Sequence, residues 1–154
     1  MISGSVVETL IKRASQAREN AYVPYSKFKV GAAVLNEDGE IYVGCNIENA
    51  SYGLTICAER TAIVKAVSNG KKNLKAIAIV GDVEGGGVCM PCGTCRQVMA
   101  EFMNSSDMVI CANIKGEYKI YSLLDMLPYA FTNKDLKASD EIYKNKKEIE
   151  IPKI

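Results

Sequence analysis

Two near-continuous apolar runs, AIAIVG at 76–81 and MVICANI at 108–114, leave neither face of a strand polar. Each therefore predicts a buried strand in the centre of a sheet. Around them the period changes. Val6, Val7, Leu10, Ile11, Ala14, Ala17 and Ala21 recur at three- and four-residue steps with Lys12, Arg13, Arg18 and Glu19 between them, which predicts an amphipathic helix over 3–21. After Pro24, KVGAAVLN and EIYVGCN flank Glu37-Asp38-Gly39 and predict a β-hairpin turning on Asp-Gly. Helical spacing returns from Cys57 to about Ser68, through Ala58, Ala62, Ile63, Ala66 and Val67, and stops at Asn69-Gly70, a C-cap pair. Between the two apolar runs lie the loop GDVEGGGVCMP and a further helix over about 92–103, with Val98, Ala100, Phe102 and Met103 as its packing residues. YKIYSL after Gly116 predicts a last strand, and DMLPYAF leads to a short helix near 133–138. The order α-β-β-α-β-α-β-β-α argues for an α/β domain, a mixed sheet covered by helices. No internal repeat is visible.

A chain of 154 residues, 48% hydrophobic, buries one ordinary core. No apolar run approaches the roughly 20 residues that span a bilayer. The stretch MISGSVVETLIKRASQ carries charges where a secretory signal needs an uninterrupted apolar segment. The expectation is a soluble cytoplasmic protein with no membrane partner. Nineteen basic residues against eighteen acidic leave a net charge of +1, and the basic clusters at 71–72 and 144–147 are short. A long phosphate backbone is therefore not the expected partner, and no nucleic-acid role is assigned.

Six cysteines, at 45, 57, 89, 92, 95 and 111, in a chain without a secretory signal favour metal or thiol chemistry over a disulfide framework. Histidine is absent. That removes Ser-His-Asp and Cys-His nucleophile systems and every imidazole ligand, so a soft-metal site must be made of thiolates. PCGTC at 91–95 alone fits redox chemistry, structural zinc or a working metal site. Cys45 and Cys111 lie in expected strands and read as buried apolar thiols.

Cys57 begins one expected helix, Cys92 and Cys95 begin another, and each helix follows an irregular loop. A helix N-terminus carries about half a positive charge and free N–H donors, so it supports a thiolate. Three thiolates on zinc leave an open coordination position, which separates a catalytic site from a closed structural one. Such a site needs positive compensation, available from the helix ends and from Arg60, one turn beyond Cys57. Glu59, two residues past Cys57, is placed to shuttle protons without being a ligand. C-A-E at 57–59 followed by P-C-G-T-C at 91–95 is the pattern of zinc-dependent nucleobase deaminases.

Over about residues 5–138 the chain resembles the small, all-cysteine, homotetrameric cytidine deaminases. The resemblance runs through PYSKFKVGAAV, GCNIENASYG, CAERTAI, PCGTCRQV and LLDMLPYAF, five strings in order. It implies a three-layer domain with a mixed five-stranded sheet at 1–138, leaving a charged tail of unknown role at 139–154. One Zn2+ per chain is implied on Cys57, Cys92 and Cys95, with Glu59 as the catalytic proton carrier. Substrate-binding roles are implied for Phe28 against the pyrimidine, Asn46 and Glu48 on the ribose, Ala58 through its backbone, and Tyr52 lining the pocket. Phe131 is implied to reach a neighbouring subunit's site, and Arg60 to hydrogen-bond the zinc thiolates. The implied reaction is hydrolytic deamination of cytidine and deoxycytidine with ammonia release, serving pyrimidine salvage. The implied partners are a nucleoside and three further copies of the chain, with active sites shared between subunits.

Two departures bear on these expectations. Tyr129 stands where the family often has glycine, and Cys89 adds a thiol three residues before Cys92. The string C-M-P-C-G-T-C leaves two rivals open: a closed four-thiolate structural zinc module, and an iron-sulfur carrier on Cys89, Cys92 and Cys95.

Overall fold

The computed structural model describes residues 2–136. It has a single five-stranded sheet, with β1 (Val30–Asn36), β2 (Ile41–Cys45), β3 (Leu74–Gly81), β4 (Met103–Asn113) and β5 (Tyr118–Ser122) in the order β2-β1-β3-β4-β5. Only β3 and β4 are parallel. This is the mixed sheet the sequence predicts, in the predicted order of elements. Both apolar runs occupy the parallel pair, where burial on both faces explains why neither alternates with polar residues.

Helix α1 (Gly4–Arg18) covers one face of the sheet, packing Val7, Leu10, Ile11 and Ala14 on Ala33, Leu35, Ala76, Ala78, Val80, Ile110 and Ala112. The other face, made by Val30, Ala32, Val34, Ile77, Ile79, Val109 and Cys111, meets α2 (Ala58–Ser68), α3 (Gly93–Phe102) and the short α4 (Leu123–Met126). The result is three layers. Among the described residues no helix is long and apolar enough to cross a membrane.

Several expectations shift. The first helix stops at Arg18, short of 21. On α3 the buried side chains are Cys95 and Met99, whereas Val98, Ala100 and Phe102 only flank the core. The first turn of this helix thus faces inward at Cys95 while Cys92 stays exposed, which a count of apolar residues does not anticipate. The sequence reading did not anticipate α4, which Ser122 and Asp125 start with a capping box, Ser122 Oγ accepting from Asp125 N and the Asp125 carboxylate accepting from Ser122 N. A further helical stretch runs over 133–136, and the expected boundary at 138 and tail at 139–154 lie outside the described residues.

The two hairpins share one turn that the sequence reading passes over. Asn36 and Asn113, both buried, each accept from the N–H of the glutamate four residues on and donate to its carboxylate. In both turns the glycine three residues after the asparagine, Gly39 or Gly116, has positive φ. The string is Asn-x-x-Gly-Glu in each, too short to register as a repeat.

Close approach of helix to sheet depends on two adjacent strand positions. A Cβ on Gly31 would fall on the Ala14 carbonyl of α1, and one on Gly44 would lie 2.5 Å from Ala62 N and 2.8 Å from Ala58 O of α2. Gly44→Ala therefore drives α2 off the sheet, since backbone cannot yield as a flexible side-chain tip can. Overpacking of this kind costs about 1–3 kcal/mol, read by urea unfolding of the zinc-loaded protein. Unchanged stability would mean that α2 is not seated by this contact.

Candidate active site

Helices α2 and α3 begin in the same way. Cys57 is the N-cap of α2 and Cys92 the N-cap of α3, both extended in backbone, and Cys95 sits in the first turn of α3. The sequence reading put these three thiols at helix starts, and the sheet brings the two starts together. Cys57 Sγ and Cys92 Sγ are 4.0 Å apart, Cys92 Sγ and Cys95 Sγ are 3.5 Å apart, and all three sulfurs lie within 4.8 Å of one another. Tetrahedral zinc with Zn–S bonds of about 2.3 Å would set its sulfurs about 3.8 Å apart. The donor set and its spacing fit that ion. Thiol-rich donors with one position left over suit a catalytic zinc more than a hard cation.

Electrostatics favour thiolate at Cys57. The Cys57 thiol is held well below its usual range by a hydrogen bond from Cys95 and then by Arg60, while that same bond and burial push Cys95 up. Arg60 Nη2 donates to the Thr55 carbonyl at 3.0 Å and to Cys57 Sγ at 3.7 Å. Among the described residues its buried Nε–H has no acceptor.

Cys89 stands apart. Among the described residues the cluster of three comprises Cys57, Cys92 and Cys95, and burial keeps the Cys89 thiol up to about 11. It packs where Gly81 leaves room: a Cβ on Gly81 would lie 2.7 Å from Cys89 Sγ and 3.2 Å from Phe28 Cζ. The closed four-thiolate module and the iron-sulfur carrier both require Cys89 as a ligand, and this placement disfavours them.

A cavity of about 210 Å³ opens beside the thiols where β1 begins and β2 ends; Phe28, Asn46, Ala58, Glu59, Cys57 and Cys92 line it. Glu59 is 4% exposed in the first turn of α2. Burial, followed by the charge on Cys57, raises its carboxyl above the ordinary carboxylate range. A buried carboxyl whose pKa is raised beside a cluster of thiols is suited to proton transfer.

The wall bearing Phe28 is fixed by two side chains. Asn46 Oδ1 accepts from Val30 N at 2.9 Å and Asn46 Nδ2 donates to Phe28 O at 2.8 Å. The Glu48 carboxylate accepts from Tyr25 N at 2.9 Å and Ser26 N at 3.2 Å, and the Ser26 side chain and these N–H groups lower its pKa. Ser26 Oγ in turn accepts from Phe28 N. Lys27, between them, has φ 60°, a left-handed conformation that this web of hydrogen bonds holds in place. Backbone pairing of Tyr22, Ile47 and Ile56 seats the strip that carries Asn46 and Glu48.

Not every expected residue faces the thiol cavity. Glu48 and Tyr52 line an adjoining cavity of about 420 Å³ with Tyr25, Ser26 and Thr55, and the Tyr25 and Tyr52 rings lie 5.6 Å apart. Thr55 lines both cavities. Phe131 lines neither and is 60% exposed. Val30, Thr55, Cys89 and Met90 also border the thiol cavity, and Tyr25 and Ser26 border the next. Apart from Cys89, weighed as a ligand in the rival readings, the sequence reading assigned none of these to the site, although all lie within or beside its motifs.

Residues 5–112 match the family model described as the cytidine and deoxycytidylate deaminase zinc-binding region. The chain is 55% identical over 135 residues to a cytidine deaminase of Sporosarcina psychrophila, covering 88% of this chain and 98% of that one. It is similar in structure to a cytidine deaminase from Burkholderia pseudomallei, with 46% identity and a TM-score of 0.77 over 84% of this chain and all of that one. A cytidine deaminase from Mycobacterium tuberculosis gives 44% identity and a TM-score of 0.71 over 82% of this chain and 97% of that one.

Metal analysis of the purified protein should find one zinc per chain. Cys92→Ser should lose tight zinc and Cys89→Ser should retain it in full. Loss of zinc from Cys89→Ser would restore the four-thiolate site.

Proposed function

The chain belongs to the cytidine and deoxycytidylate deaminase family, and from that premise we propose that it hydrolyses cytidine and deoxycytidine to uridine and deoxyuridine, releasing ammonia, in pyrimidine salvage. The observation that carries this reading is Glu59, buried in one cavity with Cys57, Cys92, Phe28 and Asn46. Cys57, Cys92 and Cys95 would hold a zinc ion, which would supply the Lewis acid needed to activate water at neutral pH. The amino-bearing ring carbon gains the water oxygen and loses its nitrogen. Glu59 carries the protons, giving one to the pyrimidine N3 and one to the departing ammonia. Arg60 offsets the negative charge of the thiolates.

Phe28 packs on the pyrimidine face, and the backbone of Ala58 meets the polar edge of the base. Asn46 and Glu48 retain hydrogen-bonding capacity beyond what they give to the 25–30 segment, and we assign it to the sugar hydroxyls. Tyr52 closes the sugar side. The cavity there is lined by Tyr25, Ser26, Glu48, Tyr52 and Thr55, and Lys27 is near enough to act on the Glu48 carboxylate. The high similarity to cytidine deaminases favours nucleosides over the deoxycytidylate that the family also includes, and the chain's near-neutral charge gives a polynucleotide no anchor.

The reading extends to a cytoplasmic homotetramer with residues 1–138 as the catalytic domain. Large apolar side chains stand in solvent on the single chain, among them Tyr129 at 96% and Phe131 at 60% exposure. Such surface is characteristic of interfaces. Phe131 then completes the pocket of a neighbouring subunit.

Purified protein should convert cytidine to uridine with stoichiometric ammonia. Glu59→Ala should keep its zinc and lose turnover by about 10²–10⁴-fold. Near wild-type turnover in that variant would remove Glu59 from the proton path.

A further inference from the structure

Residues 127–131, between α4 and the helical stretch at 133–136, have no regular secondary structure, yet both ends of the segment are fastened to α3. Arg96 is half-buried: its Nε donates to the Pro91 carbonyl at 2.9 Å and its Nη1 to the Met126 carbonyl at 2.9 Å. Gln97 fastens the other end with both halves of its amide. Its Nε2 donates to the Phe131 carbonyl at 2.7 Å, and its Oε1 accepts from the Phe131 N–H at 3.4 Å. One side chain thus satisfies both backbone groups of a single residue, as a neighbouring strand would.

We propose that Gln97 is a positioning residue that acts in trans, holding the Phe131 backbone so that its ring is presented to the active site of a second copy of the chain. This inference rests on the shared-site reading above. Gln97 lies two residues past Cys95 on a helix whose first turn holds two of the three clustered thiols. The helix that builds one subunit's metal centre therefore also aims the aromatic that the neighbour's pocket uses. The Phe131 ring is largely in solvent on the isolated chain, and among the contacts described its backbone is what Gln97 grips. Without that grip the ring must be ordered when substrate binds, and the ordering cost appears as weaker binding and not as slower chemistry.

The test uses the zinc-loaded full chain. Gln97→Leu removes both hydrogen bonds at similar volume; Gln97→Glu keeps the acceptor and loses the donor. Both should hold zinc as the wild type does and keep kcat, while KM for cytidine rises by about tenfold, the order expected from the loss of one or two ordering hydrogen bonds. Phe131→Ala should raise KM similarly, and combining it with Gln97→Leu should add little, because the two act as one unit.

Mixed oligomers locate the effect. When Gln97→Leu chains are co-assembled with Glu59→Ala chains, the working sites lie in the former, and properly held Phe131 side chains come from the latter. KM of the mixture should fall back toward wild type. A KM that stays raised in the mixture would show that Gln97 serves its own subunit and would overturn the proposal, as would an unchanged KM in Gln97→Leu beside an active wild type. Absence of cytidine turnover in the wild type would instead sink the parent reading, and this inference with it.

Discussion

Three sulfur atoms within 4.8 Å of one another repel as soon as they ionise, so the fold must hold them together against their own charge. It does so with backbone. Two helices start at the cluster, with Cys57 and Cys92 as their N-caps, so the positive ends of two helix dipoles lie beside the sulfurs. Arg60 adds a full charge through its contact with Cys57. Much of the remaining architecture serves to bring these two helix starts together.

That convergence depends on how closely the helices lie on the sheet. Gly31 and Gly44 belong to adjacent pairs of the β1–β2 ladder, Gly31↔Cys45 and Ala32↔Gly44. One admits α1 on one face and the other admits α2 on the opposite face. The parallel pair β3 and β4 then delivers α3 to the same face as α2. A shift of α2 by the width of a methyl group would change the distance from Cys57 to Cys92, and zinc–thiolate bonds tolerate only a few tenths of an ångström.

Much of this was legible in the sequence because the strongest signals are local. The buried strands show as unbroken apolar runs and the Asp-Gly hairpin as its turn, while the thiols and Glu59 stand where helical spacing begins. The parts not legible depend on tertiary contact. Met99 and Cys95, rather than Val98 and Phe102, face the core, because the direction of α3 is set by where its first turn must point. Cys89 looks like a fourth ligand by spacing, and only packing against Gly81 and Phe28 shows otherwise. Gln97 carries no sequence signal of its bond to Phe131, 34 positions away.

Asn46 and Glu48, the two residues proposed for the sugar, also have a structural role in the fold. Both grip the backbone that carries Phe28, so the aromatic wall and the polar groups beside it form one rigid unit. A hydroxyl meeting Asn46 or Glu48 then encounters groups already fixed by other bonds, which lowers the entropy lost on binding. The same arrangement constrains chemistry at the sugar end. The Glu48 carboxylate is stabilised as an anion by the Ser26 side chain, by backbone N–H groups and by nearby Lys27, so it accepts hydrogen bonds. A hydroxyl that donates to it meets an acceptor already fixed by the bonds that hold the loop.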